Sequence, residues 1–192
     1  MIKCKMLAIL LVMISLNSFS GSLSKVKMNT SFGEIIVELD TVRAPISANN
    51  FLQNVKNEVY KDAIFYRVVR PDNQPNSKVK IEVIQGGIYT QIRFGEIPKI
   101  EHETTEVTGI KHLDGTISMA RSKPGSASTE FFICVGEQPE LDFGGTRNPD
   151  GQGFAAFGRV IDGMDVVRKI QEQKDLKQTL VTPIKITSTE LL

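Results

Sequence analysis

Residue types that commonly carry catalysis or bind metals are scarce in this chain of 192 residues. Residues 101–103, Glu-His-Glu, have metal-binding groups, but neighbours in an extended segment point to opposite faces, which favours a solvated loop. The other histidine is His112, and the two cysteines, Cys4 and Cys134, are too few for a cysteine-built zinc site. The sequence also lacks a Gly-x-Ser-x-Gly elbow, a His-Glu-x-x-His pair and a phosphate-binding loop. We therefore expect no metal and no cofactor, and no motif supports a hydrolase.

Short blocks of sequence, spread over the chain, indicate a different kind of chemistry. They are Phe65–Val69, Val83–Gly87, Gly115–Ala120, Ser128–Cys134, Leu141-Asp142 and Phe157–Met164. Taken together, the blocks resemble the cyclophilin family of peptidyl-prolyl cis-trans isomerases, particularly its exported bacterial members. Any one block is a weak signal, but their order and spacing together are specific. The resemblance extends from about Lys25 to the C-terminus.

The resemblance implies that the chain catalyses rotation about the peptide bond that precedes proline. Amide resonance sets a barrier of about 18–20 kcal/mol for that rotation. Lowering the barrier needs no nucleophile, metal or cofactor, because a surface that binds the twisted amide more tightly than either planar form is sufficient. The expected partners are proline-containing unfolded or extended polypeptides, and the expected role is to accelerate the folding of exported proteins.

Three residues match the family's catalytic positions. Arg67 matches the arginine whose permanently charged, forked guanidinium holds the substrate carbonyl and approaches the prolyl nitrogen. Without the resemblance, Arg67 would be interpreted as an exposed strand residue, because it lies between apolar neighbours. Gln85 matches the glutamine that bonds the substrate backbone, and the alternative is a strand-end glutamine that bonds its own loop. Phe132 matches the floor of the proline pocket, a role that is compatible with plain core packing.

Further residues match the family's substrate-binding surface: Val83, Ala120, Arg121, Leu141 and Phe154. The backbone at positions 120 and 121 is expected to pair with the extended peptide as an added strand. Positions 141 and 154 are expected to form pocket walls, and the valine at 83, where the family usually has methionine, would leave a wider pocket. Since isomerases of this family contact few residues around proline, specificity is expected to depend on the long loops Arg70–Lys80 and Gly144–Gly153.

Three carboxylates depart from the family pattern. Glu82, Glu130 and Glu140 stand where the family commonly has phenylalanine, glutamine, and tryptophan or phenylalanine, respectively. They reduce the apolar contact with proline, and a carboxylate paired with Arg67 would compete with the substrate carbonyl. They are the argument for an alternative function, a cyclophilin-fold peptide-binding module or chaperone with weak or lost catalysis. The presence of all three catalytic matches favours the enzyme.

Hydrophobic periodicity predicts the elements that position these residues. Alternating apolar residues bounded by turn signals predict eight strands, at Lys25–Asn29, Gly33–Leu39, Ala63–Val69, Ile81–Gln85, Gly115–Ala120, Glu130–Val135, Phe154–Val160 and Pro183–Leu192. Helical spacing predicts one helix that begins at Pro45 and another over Met164–Gln173. Short strands separated by turns are typical of a closed or nearly closed antiparallel barrel with helices over its ends. The resemblance implies the same mainly β fold: an eight-stranded closed antiparallel barrel capped by two α-helices.

Residues 1–20 have the pattern of a cleavable secretory signal peptide. Lys3 and Lys5 precede the apolar run Met6–Leu16, and small residues around Ser20 offer a cleavage site. The run is shorter than the ~20 residues that a membrane span needs. The alternative is an uncleaved N-terminal anchor. We expect cleavage, which leaves a cyclophilin-like isomerase domain over residues 21–192, without a membrane span, periplasmic or secreted.

The composition excludes several other classes of protein. Hydrophobic residues make up 41% and charged residues 23%, which excludes disordered, collagen-like and coiled-coil chains. The net charge of +1 becomes −1 when residues 1–20 and their two lysines are removed. Such a balance gives no electrostatic case for a nucleic-acid partner, and a small near-neutral domain is most simply a monomer. Cys134 lies in an apolar run and is predicted to be a buried, unreactive thiol.

Overall fold

The computed structural model describes residues 23–88 and 97–192. The predicted signal peptide, residues 1–20, lies outside the described residues. The described part contains the strands β1 (Ser24–Thr30), β2 (Gly33–Leu39), β3 (Ile64–Val69), β4 (Val83–Gly87), β5 (Thr116–Met119), β6 (Phe131–Cys134), β7 (Ala155–Asp162), β8 (Asp175–Leu176) and β9 (Thr179–Leu191). It also contains the helices α1 (Pro45–Lys56), α2 (Thr105–Thr108) and α3 (Met164–Gln171). No helix in these two ranges is long and apolar enough to cross a membrane.

Eight of the strands close into an antiparallel barrel. Their order is β1-β2-β7-β5-β6-β4-β3-β9, and a further pairing of β1 with β9 closes the ring. The predicted eight-stranded closed barrel is therefore confirmed. Two short elements were not predicted, the four-residue helix α2 and the two-residue strand β8, which pairs with β9. Elements of this length are too short to show a hydrophobic period.

The first hairpin shows how the sequence pattern produces the barrel wall. Val26 and Met28 on β1 lie opposite Val37 and Ile35 on β2, and all four side chains are fully buried. Their alternation with polar residues gives each strand one face toward the core. In the connecting turn, the Thr30 hydroxyl donates to the Gly33 carbonyl (2.7 Å). The hairpin predicted from this alternation is confirmed.

Helix α1 begins at Pro45, as predicted, but the group that caps its first turn comes from a residue far along the chain. The residue before it, Ala44, makes no side-chain cap. The carboxylate of Glu103 instead accepts hydrogen bonds from the backbone N–H groups of Ile46 (3.0 Å) and Ser47 (2.6 Å). A carboxylate at this end satisfies free N–H groups and complements the positive end of the helix dipole. The solvated-loop prediction for residues 101–103 is therefore wrong for Glu103, which is buried.

The C-terminal elements differ from prediction at their boundaries. Helix α3 ends at Gln171, two residues before the predicted end. Strand β9 begins at Thr179 rather than at Pro183. Proline usually stops a strand because it has no N–H to donate to a neighbour. Here Pro183 falls in the stretch where the register between β3 and β9 shifts, so β9 continues through it.

The barrel wall separates a large inner core from a smaller outer cluster. Inward-facing residues such as Phe65, Ile84 and Phe131 belong to the main core. Val69, Val83, Phe132 and Cys134 lie on these strands and their neighbours and form a second apolar cluster, which Ile81 and Leu141 join from outside the strands. Alternation along each strand thus produces an apolar surface on the outside of the barrel. Burial raises the pKa of the Cys134 thiol, which agrees with the prediction of an inert residue.

Candidate active site

A β-bulge in β3 places two consecutive side chains on the outer face. Phe65 pairs with Gly86 and Arg67 with Gln85, so Tyr66 is an extra residue without an opposite partner on β4. Phe65 faces the main core, whereas Tyr66 and Arg67 both line an outer cleft of about 490 Å³. Bulges of this kind commonly redirect side chains next to functional sites.

The guanidinium of Arg67 is held by two side-chain amides. Its Nη1 donates to Gln85 Oε1 (2.8 Å), and its Nε and Nη2 both donate to Gln178 Oε1 (3.1 and 2.6 Å). Both acceptors are neutral, and no ion pair joins Arg67 to a carboxylate within residues 23–88 and 97–192. Burial lowers the pKa of Arg67, and the nearby Tyr66 opposes this shift. An arginine with so high an ordinary pKa remains a cation, so the cleft contains a positive charge held only by amide oxygens.

Tyr66 links this arrangement to Glu130. Gln85 Nε2 donates to the Tyr66 hydroxyl (2.7 Å), which in turn donates to Glu130 Oε2 (2.7 Å). Burial and the Glu130 charge raise the pKa of Tyr66, so its hydroxyl stays protonated. Glu130 Oε1 also accepts the backbone N–H of Ile88 (2.9 Å). Gly87, at φ 144°, makes room for the carboxylate, since a Cβ on this residue would collide with it.

The floor and walls of the cleft are apolar. Phe132 is buried at its base, and the ring of Phe154 meets it edge-on at 5.3 Å between centroids. Leu141, Ile81 and Val83 complete the apolar lining. A wall of this size suits a small ring such as that of proline, which binds by apolar contact.

A buried hydrogen-bonded group supports Phe132 from behind. The ring of His112 stacks on Phe132 at 5.8 Å between centroids. His112 Nδ1 lies 2.8 Å from Asp142 Oδ1, and Nε2 lies 3.0 Å from Ser118 Oγ. Burial lowers the pKa of His112, so the ring is neutral at neutral pH: Nδ1–H donates to the carboxylate and Nε2 accepts from the serine. Because Ser118 and His112 are fully buried, the three groups hold Phe132 in place and offer no accessible nucleophile.

Arg121 is anchored at another edge of the cleft. It forms a bidentate salt bridge with Asp150, through Nη1 (2.8 Å) and Nη2 (2.9 Å). Its Nε donates to the Gly153 carbonyl (2.8 Å), and its guanidinium carbon lies 5.2 Å from the centre of the Phe154 ring. The Arg121 hydrogen bonds lower the pKa of Asp150 to about 2, so the pair is fully ionised at neutral pH. The charge of Arg121 is thus neutralised within the protein.

The structure brings every residue that the sequence predicted for this site into one cleft. Its lining includes Arg67, Gln85, Phe132, Val83, Ala120, Arg121, Leu141 and Phe154. The three carboxylates that depart from the family pattern do not all lie at the pocket, although the sequence comparison placed them at pocket positions. Glu130 lines the cleft but is bonded by Tyr66, whereas Glu140 accepts two hydrogen bonds from Thr146, and neither Glu140 nor Glu82 is part of the lining.

Sequence reasoning missed further residues of the site, among them Ile81 and Arg147 in the cleft lining and Gln178, which binds the Arg67 guanidinium. Ile81 lines the cleft beside Val83, and its spacing of two and four residues from Val83 and Gln85 was a usable signal. Gln178 comes from the turn between β8 and β9, and Arg147 from the loop after Leu141. No periodic pattern marks either residue, because loop side chains reach their partners through backbone turns rather than through a regular repeat.

The site combines the Arg67 cation with an apolar floor on three neighbouring strands. Arg67 on β3 lies opposite Gln85 on β4, and Gln85 lies opposite Phe132 on β6. Side chains directly opposite on neighbouring strands have their Cβ atoms about 4.5–5.5 Å apart. A ring seated on Phe132 therefore lies within reach of the Arg67 guanidinium, which can donate to atoms of the adjoining peptide bond.

The chain is similar to proteins of known classes over nearly all of its described length. Residues 25–191 match the family described as "Cyclophilin type peptidyl-prolyl cis-trans isomerase/CLD". A peptidyl-prolyl cis-trans isomerase of Acinetobacter baylyi is 37% identical over 168 residues, which cover 86% of this chain and 81% of the relative. Peptidyl-prolyl cis-trans isomerase B of Escherichia coli is 33% identical over 147 residues, 76% of this chain and 83% of the relative.

The fold has matches among solved structures as well. A cyclophilin type peptidyl-prolyl cis-trans isomerase of Cryptosporidium parvum superposes with a TM-score of 0.70 at 22% identity, over 89% of this chain and 98% of that one. A crystal structure of the same protein in the presence of the dipeptide Ala-Pro superposes with a TM-score of 0.67 at 23% identity, over 86% and 96% of the two chains. At this level of identity the similarity establishes the fold.

Proposed function

Because the chain belongs to the cyclophilin-type peptidyl-prolyl cis-trans isomerases, we propose that its outer cleft is the surface on which the peptide bond before proline is isomerised. The observation that carries this proposal is the row Arg67, Gln85 and Phe132 on three adjacent strands. Proline rests on Phe132, and the bond to be rotated lies beside the guanidinium.

The chemistry requires no covalent step. As the amide twists, its nitrogen leaves resonance and regains a lone pair that the planar form does not offer. An N–H of Arg67 donates to that lone pair, so this hydrogen bond forms only in the twisted state and lowers the barrier. A guanidinium has five N–H donors, and three of them are occupied by Gln85 and Gln178. One N–H on Nη1 and one on Nη2 remain for the substrate.

Gln178 accepts two of the three side-chain hydrogen bonds that orient the Arg67 guanidinium. Lys177 and Gln178 form a two-residue hairpin turn with φ of 51° and 74°, a left-handed backbone that favours glycine or asparagine. The Gln178 N–H donates to Asp175 Oδ2 (2.7 Å), and its carbonyl accepts the N–H of Val68 (2.9 Å). A strained turn with a long polar side chain is typical of a position kept for a functional contact.

Replacing Gln178 with glycine is expected to reduce kcat/KM about tenfold, chiefly through kcat. The variant removes the amide that accepts two charged N–H donors, while glycine adopts the same left-handed backbone freely. Lys177→Gly is the matched control, because it changes the backbone in the same turn but removes an exposed side chain. Isomerisation of an Ala-Pro peptide measures both. Equal kcat for wild type and Gln178→Gly, or an equal loss in both glycine variants, would contradict a positioning role.

The proposed clients are exported proteins, and the proposed location is the periplasm or the extracellular space. The support is the sequence of residues 1–20, with its basic start, short apolar run and small residues before Gly21. We also propose that the domain over residues 21–192 acts as a monomer on unfolded or extended chains that contain proline. The open outer cleft is suited to an extended segment rather than to an enclosed small molecule.

Export is tested by expressing the full chain in a Gram-negative bacterium and measuring the intact mass of the protein in the periplasmic fraction. We expect a chain that begins at Gly21. A double variant, Leu10→Arg with Leu11→Arg, interrupts the apolar run and is expected to remain uncleaved inside the cell. Recovery of the unaltered chain with residues 1–20 still attached and inside the cell would contradict the signal-peptide proposal.

A further inference from the structure

Arg147 is a third arginine in the cleft, beside Arg67 and Arg121, and the loop that carries it contacts another loop. Its Nη1 lies within hydrogen-bond distance of Gln74 Oε1 (3.0 Å), Ser77 Oγ (2.7 Å) and the Val79 carbonyl (2.6 Å). All three acceptors belong to the loop between β3 and β4. Arg147 and its neighbour Asn148 both line the cleft. The two long loops therefore meet through one guanidinium at the edge of the proposed active site.

Only part of the Arg147 guanidinium is used by these contacts. Each of its three side-chain bonds runs from Nη1, and across the described ranges neither Nε nor Nη2 donates a hydrogen bond. The side chain is half-buried, so its charge is incompletely hydrated. An Nε and Nη2 edge offers two parallel N–H donors, the geometry that a carboxylate accepts.

Among the residues that the structure describes, no carboxylate pairs with Arg147 as Asp150 pairs with Arg121. Arg121 binds Asp150, whereas the acceptors of Arg147 are an amide, a hydroxyl and a carbonyl. Burial and the nearby positive charge of Arg67 both lower the pKa of Arg147, which indicates that the two cations act on each other. The cleft does contain one carboxylate, Glu130, which accepts hydrogen bonds from Tyr66 and from the backbone of Ile88.

We infer that Arg147 is a subsite for an acidic side chain of the substrate, so that the enzyme prefers proline segments with Asp or Glu within two residues of the proline. This inference rests on the proposed function of the cleft. A substrate carboxylate that reaches Nε and Nη2 would relieve the repulsion between Arg147 and Arg67 while leaving the bonds of Nη1 intact. The chemical class of substrate is therefore an acidic, proline-containing segment rather than a neutral one.

The test compares peptides that differ only in charge. A neutral Ala-Pro peptide is varied to Glu, Gln or Lys at each of the two positions on either side of proline, and kcat/KM is measured for each. At one or more positions we expect wild type to favour Glu over Gln about fivefold, the range of a partly exposed ion pair, and to disfavour Lys. Raising the ionic strength from 0.05 M to 1 M is expected to reduce this preference.

The variant Arg147→Gln keeps a donor for the loop contacts but removes the charge, and its Glu-to-Gln ratio is expected to fall to about one. Because the ratio is taken within each protein, a general loss of activity does not affect it. Arg159→Gln, which removes an exposed arginine paired with Glu38, is the control and should keep the wild-type ratio. Isomerisation of the neutral peptide with no Glu preference in wild type, or a preference that survives Arg147→Gln, would overturn the inference alone. Failure to isomerise any peptide would overturn the proposed function and the inference with it.

Discussion

Replacing Arg67 with alanine is expected to reduce kcat/KM for an Ala-Pro peptide by about 100-fold or more, while the protein remains folded. Removal of one preorganised donor from a developing charge or lone pair costs other enzymes about 10²–10³-fold in rate. Arg67 supplies the only cation in the row of Gln85 and Phe132 within the described part of the chain. Cis-to-trans relaxation of the peptide measures the rate, and thermal unfolding checks the fold.

Two further variants separate charge from geometry at this position. Arg67→Lys keeps a positive charge, but a single ammonium cannot reach both Gln85 and Gln178 and still offer N–H groups to the substrate, so most activity should be lost. Arg159→Ala removes an exposed arginine elsewhere on the barrel and should leave the rate unchanged. An Arg67→Ala protein that melts like wild type and retains the wild-type rate would exclude Arg67 as a catalytic residue.

Replacing Phe132 with alanine is expected to reduce kcat/KM about 10- to 100-fold, mainly by raising KM. The change removes the floor on which the proline ring rests and leaves a gap beside Phe154 and His112. A difference of one methylene group in an apolar pocket already changes specificity constants about 10- to 200-fold. The dependence of the initial relaxation rate on peptide concentration gives kcat and KM separately.

The adjacent phenylalanine is a matched control for this prediction. Phe131 lies on the same strand but faces the main core, where its ring contacts Phe51, Tyr60 and Phe65. Phe131→Leu should therefore lower the free energy of unfolding by roughly 1 kcal/mol or more and leave kcat/KM close to wild type. If Phe132→Ala lost only stability and kept wild-type kinetics, Phe132 would be a packing residue and the pocket would lie elsewhere.

The site residues were predicted from the family resemblance, whereas hydrophobic periodicity predicted the strands that carry them. Val83, Gln85 and Phe132 occur at the correct spacing on predicted strands, and the structure places them on one outer face. The role of Arg67 was predictable only from the family resemblance, because its position depends on the bulge at Tyr66. An extra residue in one strand becomes visible only when the register with the neighbouring strand is known.

The parts that could not be predicted depend on contacts between distant segments. Gln178 is 111 residues from Arg67, and Arg147 is 73 residues from Gln74. Glu103 caps helix α1 and accepts the backbone N–H of Ile46, which lies 57 residues earlier in the chain. Each of these contacts has at least one partner in a loop or a turn, where neither a period of 2 nor a period of 3.6 restricts which partner is chosen.

The pairing of β1 with β9 has a consequence for how the chain folds while it is being synthesised. Asn29 on β1 bonds Glu190 on β9 across 161 residues, and β3 also pairs with β9. The ring therefore cannot close until residues 179–191 have left the ribosome, and until then β1 and β3 each lack one neighbour. Contacts of such long sequence separation form slowly, because the entropy of closing a large loop must be overcome first. We therefore expect the nascent chain to stay unfolded through most of its synthesis and to fold only after its last strand has been made.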